Sequence, residues 1–183
     1  NVDSLKFVVL TGSNYEHGYF NAYGRVADRK DIDAVIHTGD YIYEYPSGKY
    51  GSSSFDPAPD RSVIPDRELV ELEDYRLRYS HYRLDENLRR AHQNHPFLVV
   101  WDDHEIANDC YVDGAQNHQP EMEGDWEKRK NAAKTAYFEW MPIRGEKVYR
   151  TISSGPLAKL FLLDERLAGR TKQLKKDDPE LND

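Results

Sequence analysis

Four ionisable side chains stand in a row at Asp102-Asp103-His104-Glu105, directly after the apolar run Phe97-Leu98-Val99-Val100-Trp101. An earlier stretch has the same character. Ala34-Val35-Ile36 is an apolar run, Gly39 breaks it, Asp40 follows at once, and Tyr43 comes three residues later. Asp40 and Asp103 offer the hard oxygen donors that highly charged cations prefer. His104 offers an imidazole, either as a ligand or as a general acid. Tyr43 has two readings: a phenolate that binds a hard ion such as ferric iron, or a packing residue. One carboxylate shared by two ions, with a histidine alongside, is the layout of two-metal phosphoester hydrolysis. There the ions polarise the phosphoryl oxygens, activate water and stabilise the leaving oxygen.

Those side chains need a frame. Residues 5–11 read as a first strand and residues 12–14 as a turn, with Asn14 capping a helix over residues 15–27. Residues 34–36 read as a second strand. Strand, helix and strand in this length make a βαβ unit with parallel strands, so the turns at 12–14 and 39–43 should lie side by side. Ligands of such sheets bind beyond the carboxyl ends of the strands. Residues 97–101 read as a third strand, which carries Asp102 to Glu105 to the same edge.

Between these strands, residues 45–65 are rich in Pro, Gly and Ser and read as a lid or specificity loop. Residues 66–91 predict one long helix capped by Asp66. Leu69, Leu72, Tyr75, Tyr79 and Tyr82 fall on its buried face, and Glu71, Glu73, Arg76, Arg78 and Arg83 on a solvated one. Residues 92–96 read as a connector. Residues 111–123 read as a second polar loop, and residues 124–141 as a helix capped by Asp125 and ended by Pro142. Residues 147–152 and 158–163 read as two more strands. From Thr171 the chain is charged and reads as a solvated end.

The chain has 183 residues, enough for a single domain over 1–183, and a formal net charge of −8. Acidic excess suits cation binding and indicates no specific nucleic-acid partner. Thirteen tyrosines argue against disorder. Cys110 is the single cysteine, so no disulfide forms within the chain. No apolar run is long enough for a membrane span, and residues 1–6 lead into a strand without a leader.

Taken together, several segments resemble the PhoD-like alkaline phosphatases and phosphodiesterases of the metallophosphoesterase superfamily. They are Ser13-Asn14-Tyr15, Gly18-Tyr19-Phe20-Asn21-Ala22-Tyr23, Gly39-Asp40-Tyr41-Ile42-Tyr43-Glu44-Tyr45 and Trp101-Asp102-Asp103-His104-Glu105. Trp140-Met141-Pro142-Ile143-Arg144 and Leu163-Asp164-Glu165-Arg166 continue the likeness. The resemblance implies an α/β fold, a metallophosphoesterase-like α/β/β/α sandwich with a mixed sheet, incomplete on its C-terminal side. It implies hydrolysis of phosphomonoesters or phosphodiesters, with iron and calcium as cofactors, other divalent metals being possible, and an exported location.

Carried over by position, Asp40 is the metal-bridging aspartate, Tyr43 the phenolate iron ligand, Asp103 a ligand of the second metal and His104 the catalytic histidine. Asp102 and Asn108 are supporting residues around them. Two departures stand out. Gly12 occupies the place of a ligand cysteine, and Cys110 lies beside a different strand. The family's later ligand motifs fall beyond Arg170, so the chain reads as the N-terminal half of a catalytic domain. The other reading is a catalytically silent module that binds metal, phosphate or a partner.

Overall fold

Three apolar runs form one parallel sheet in the order β1-β2-β3: β1 (Phe7–Leu10), β2 (Ala34–His37) and β3 (Phe97–Val99). Val8 pairs with Val35 and His37 with Val99, so all three strands point their carboxyl ends at one edge. The computed structural model describes residues 3–50, 60–174, 176, 178 and 179. Part of the 45–65 loop and part of the charged end after Thr171 therefore lie outside the described residues.

The connection from β1 to β2 carries α1 (Asn21–Asp28), as the βαβ reading requires. The helix starts later than the expected 15–27. Asn14 does not cap it; its Oδ1 accepts from the Glu16 N–H at 3.0 Å in a local turn. Tyr15 and Phe20 then pack into the core, and the Tyr15 N–H donates to the Tyr82 hydroxyl at 3.2 Å. Local side-chain bonding and aromatic burial displace the first helical turns.

The single helix expected over 66–91 is two helices, α2 (Leu72–Tyr82) and α3 (Glu86–Asn94). Glu71 and Asp74 form a capping box at the start of α2, while Asp66 accepts from the Ser47 N–H at 2.9 Å instead. Asp85 begins α3 by accepting from the Leu88 N–H at 3.1 Å, and Arg61 holds the same carboxylate at 2.7 Å. Residues 92–94, expected as connector, complete α3. Tyr75, Tyr79 and Tyr82 are fully buried as the periodicity requires, Leu72 is half-buried, and Leu69 is fully buried but precedes the helix. Arg78 is not on a solvated face. It is fully buried and donates to the carbonyls of Tyr43, Ile64 and Pro65.

After the polar stretch that follows β3 come α4 (Pro120–Glu123) and α5 (Trp126–Trp140). Asp125 caps α5 by accepting from the Lys128 N–H at 3.1 Å. The last two strands, β4 (Arg150–Ser154) and β5 (Ala158–Leu162), pair antiparallel in a sheet of their own. Parallel and antiparallel pairing thus occur in separate sheets among the described residues. No helix among them is long and apolar enough to cross a membrane.

His37, at the end of β2, shows how tightly this edge is closed. It is fully buried, and burial lowers its pKa to about 3. The Gly39 N–H donates to its Nδ1 at 3.3 Å, so Nε2 carries the proton and faces the Tyr23 hydroxyl at 2.9 Å. An unfolded histidine titrates near 6.5. The contribution of His37 to stability is therefore complete above about pH 6.5 and falls as pH drops towards 3. Imidazole NMR should find His37 as the neutral Nε2–H tautomer, unprotonated down to about pH 4. Titration near 6.5 would contradict the packing described.

Candidate metal centre

Gly39 lets two strand ends meet. Its φ is +104°, and a Cβ there would stand 2.2 Å from the Asp102 nitrogen, so only glycine fits between them. Asp40 follows at φ 54°, a left-handed conformation that Asp adopts more readily than most residues. The turn after β1 joins the same edge. The Gly12 N–H donates to Gly39 O at 3.3 Å and the Ser13 N–H to Asp40 O at 2.7 Å. The expected adjacency of the 12–14 and 39–43 turns is present.

Two buried polar side chains hold the Asp40 to Tyr43 turn. Glu105 accepts the N–H groups of Asp40 at 3.1 Å, Tyr41 at 2.7 Å and Asp102 at 2.9 Å. Its burial and the nearby Asp40 push its pKa up to about 8, although the three N–H donors pull the other way. Arg78 grips the Tyr43 carbonyl from the opposite side. The backbone that carries Asp40 and Tyr43 is thus fixed by contacts within the chain.

Donor atoms of Asp40, Asp103 and His104 lie within 4.8 Å of one another. Asp103 and His104 are buried and Asp40 is partly so. Among the described residues Asp40 Oδ1 is buried without a hydrogen-bond partner, and Oδ2 receives a long contact from the Tyr43 hydroxyl at 3.4 Å. Burial raises the Asp40 pKa to about 6, with Asp103 and Asp102 adding to the effect and His104 opposing it. An unpaired buried carboxylate beside other carboxylates is costly alone and is relieved by a cation. The donor set fits a hard metal ion.

His104 is oriented by Glu44. Its Nδ1 donates to Glu44 Oε2 at 2.7 Å. Burial by itself would lower the His104 pKa, but the bond and charge of Glu44, with Asp103 and Asp40 behind them, raise it to about 9. The fully buried Glu44 also accepts from the Asn108 N–H at 2.7 Å and Asn117 Nδ2 at 2.9 Å. A second cation, Arg166, reaches in after β5. Its Nε meets Asp102 Oδ1 at 2.5 Å and its Nη2 meets Asp103 Oδ1 at 3.3 Å. Asp103 Oδ2 accepts from the Asp109 N–H at 2.6 Å. Burial, then the charge of Asp40, drives the Tyr43 hydroxyl pKa far upward, so without a cation it is a neutral phenol.

The structure therefore gathers Asp40, Asp103 and His104, with the Tyr43 hydroxyl at their margin. Asp102 turns to Arg166. The Asn108 side chain turns away to Gln116 Oε1 at 2.8 Å, and only its backbone serves the site. Cys110 is buried, its thiol pKa pushed up by burial, with Sγ 3.9 Å from the Asp103 carbonyl. A Cβ at Gly12 would lie 3.7 Å from the Tyr43 hydroxyl, at φ +66°. Sequence reasoning missed the roles of Glu44, Glu105 and Arg166. Their signal was an acidic or basic side chain next to a motif residue, and their partners lie about sixty residues away.

A family model described as PhoD-like phosphatase matches residues 7–183. The chain belongs to the PhoD-like phosphatase family. It is 37% identical over 174 residues to alkaline phosphatase D of Bacillus subtilis (strain 168), covering 91% of this chain and 29% of that protein. A solved structure described as the structure of PhoD superposes with a TM-score of 0.83 at 36% identity, over 94% of this chain and 33% of that one. The chain thus spans about a third of the length of these PhoD-like relatives. The shared fold is metallophosphoesterase-like, and the Asp40, Asp103 and His104 group is its possible metal-ligand set.

Proposed function

We propose that this chain carries part of a metal-dependent phosphoester hydrolase centre, in which Asp40, Tyr43 and Asp103 hold the ions and His104 is the general acid. One observation carries the reading: donor atoms of Asp40, Asp103 and His104 lie within 4.8 Å of one another, and Asp40 Oδ1 is buried with no hydrogen-bond partner among the described residues. The resemblance favours iron with calcium, and the relative's name, alkaline phosphatase D, favours phosphoesters as substrates. When bound, such ions polarise the phosphoryl oxygens and stabilise charge on the leaving oxygen.

The protein's own groups divide the remaining work. Glu44 fixes the Nδ1–H of His104, which leaves Nε2 to hold a proton for the leaving oxygen. Glu105 sets the backbone direction of Asp40 and Asp102. Arg166 supplies a fixed positive charge beside Asp103, suited to a phosphate oxygen. A silent binding module is the second reading. Arg166 already neutralises Asp103 in this chain, and Gly12 has no side chain to offer a metal.

The two readings separate in one experiment. The chain is loaded with iron and calcium, its metal content measured, and turnover followed on a chromogenic phosphomonoester and a phosphodiester. The hydrolase reading expects bound metal, turnover of at least one ester, and loss of turnover on chelation. It also expects a visible charge-transfer band from Tyr43 on ferric iron. Bound metal without turnover would favour the silent module, and a colourless iron-loaded protein would remove Tyr43 from the ligand set.

A further inference from the structure

Beside the metal centre lies a second cavity of about 380 Å³, large enough for a small organic group. Its walls include Gly12 and Tyr43 on the side of the centre, and His17, Tyr19, Phe20 and Tyr50 on the others. Among the described residues, no Asp, Glu, Lys or Arg side chain lines it, although 32% of the chain is charged. A larger cavity near Asp109 is different in kind, since Lys172, Lys176 and Asp113 line it.

The aromatic walls are held in place. Tyr19 is 54% exposed and yet held in place. Its hydroxyl donates to Asp60 Oδ1 at 2.6 Å, and the Arg61 guanidinium lies 5.4 Å from its ring centre and 4.8 Å from that of Phe20. Arg61 is in turn fixed by the Tyr15 carbonyl and Asp85. On the inner side, Tyr50 packs on Tyr43 with ring centres 4.6 Å apart and on His104 at 4.9 Å. One exposed ring, Tyr19, and the buried or half-buried rings of Phe20, Tyr43 and Tyr50, each held by neighbours, line a hollow free of carboxylate, lysine and arginine side chains and form a stacking site with little left to order on binding.

Tyr43 connects the two places. Its ring walls the cavity and its hydroxyl stands 3.4 Å from Asp40 Oδ2. A phosphate held over Asp40 and Asp103 would place its ester substituent one side chain away from the hollow. We infer that this cavity is the subsite for the organic part of the substrate, and that it takes an uncharged planar ring, so that aryl-type phosphoesters are preferred over polyol or alkyl ones. The inference rests on the hydrolase reading for the phosphate position and adds the substrate class.

Binding and turnover test the two claims separately. Phenylphosphonate and methylphosphonate carry the same kind of head group and cannot be hydrolysed at it. Calorimetry on the metal-loaded chain should show phenylphosphonate binding about three- to tenfold tighter, the span expected for one or two aromatic contacts. Tyr19→Ala removes a ring from an exposed position, and Ala22→Trp fills the hollow from an exposed position on α1. Each should erase most of the preference and leave methylphosphonate unchanged. Equal affinities, or a preference that both variants retain, would overturn the subsite; no binding of either probe would overturn the phosphate position on which it rests, and the subsite with it. If the ring preference is present and phenyl phosphate is not turned over, the subsite stands and the hydrolase reading falls. Turnover of phenyl phosphate and glycerol phosphate with equal efficiency would do the reverse.

Discussion

Asp40→Asn is expected to abolish both metal retention and phosphoester turnover while making the metal-free protein more stable. Asparagine is the informative replacement. It keeps the left-handed backbone at φ 54°, which alanine would strain, and it removes only the charge. The loss of function follows from the central place of Asp40 among the donors. Removal of a shared carboxylate should cost on the order of a thousandfold in rate or more. The gain in stability follows from the same geometry. Asp40 Oδ1 is buried without a hydrogen-bond partner among the described residues, and burial holds the Asp40 pKa at about 6, above the ordinary carboxylate value. A group raised in this way favours the folded state less as pH rises from about 4 through 6. The variant should therefore melt a few degrees above the metal-free parent at pH 7.5, at about 2–4 °C per kcal/mol for a chain of this size. At pH 4 the two should melt together. Saturating metal should raise the melting point of the parent and not that of the variant. A variant that still binds metal, or that melts below the metal-free parent at pH 7.5, would contradict the placement of Asp40.

Much of this centre could be read from the sequence because its logic is local. Ala34 to Ile36 and Phe97 to Trp101 are apolar runs that end in carboxylates. Parallel pairing then forces Asp40 and Asp103 to one edge whatever the rest of the chain does. The errors arose where distant partners decide. Arg78 lies on α2 among residues that read as solvated, and it is buried because three carbonyls from residues 43–65 converge on it. Asp85 ended one helix and began another without a Gly or Pro to announce it, since the capping bond to Leu88 and the ion pair with Arg61 together outweigh continuation of the helix. Asn14 has the residue type of a helix cap but spends its side chain on Glu16. Glu105 stood in view in the motif, yet its task of binding three backbone N–H groups depends on the close approach that Gly39 permits.

Glu44 is the strongest instance of a decisive residue set by distant partners, and Glu44→Gln should be the most damaging change outside the ligands themselves. The carboxylate is fully buried and faces three donors: His104 Nδ1, the Asn108 N–H and Asn117 Nδ2. Burial alone would raise the Glu44 pKa, and the bonds and charge of His104 lower it instead, so the ionised form is favoured. Glutamine offers one oxygen and one NH2. Whichever way it turns, an N–H meets another donor. Either His104 loses its acceptor or the 108–117 segment does, at a cost of about 1–3 kcal/mol for the unsatisfied group.

The functional effect should exceed that structural one and differ in kind. Without Glu44 the pKa of His104 in the metal-free protein should fall from about 9, because burial is then opposed only by the charges of Asp103 and Asp40. The imidazole would hold its proton less firmly and lose its fixed tautomer. Loss of such an orienting partner costs roughly 10- to 100-fold in activity. On the general-acid reading of His104, the fall should appear in kcat more than in KM. Linkage gives a second signature. A histidine raised to about 9 contributes stability that is complete below about pH 6.5 and is lost as pH rises through 9. The melting-point gap between parent and Glu44→Gln should therefore be widest near pH 6 and narrow towards pH 9.5. Imidazole NMR should show His104 protonated to higher pH in the parent than in the variant. A variant whose His104 still titrates near 9, or whose melting-point gap is independent of pH, would show that Glu44 merely fills space.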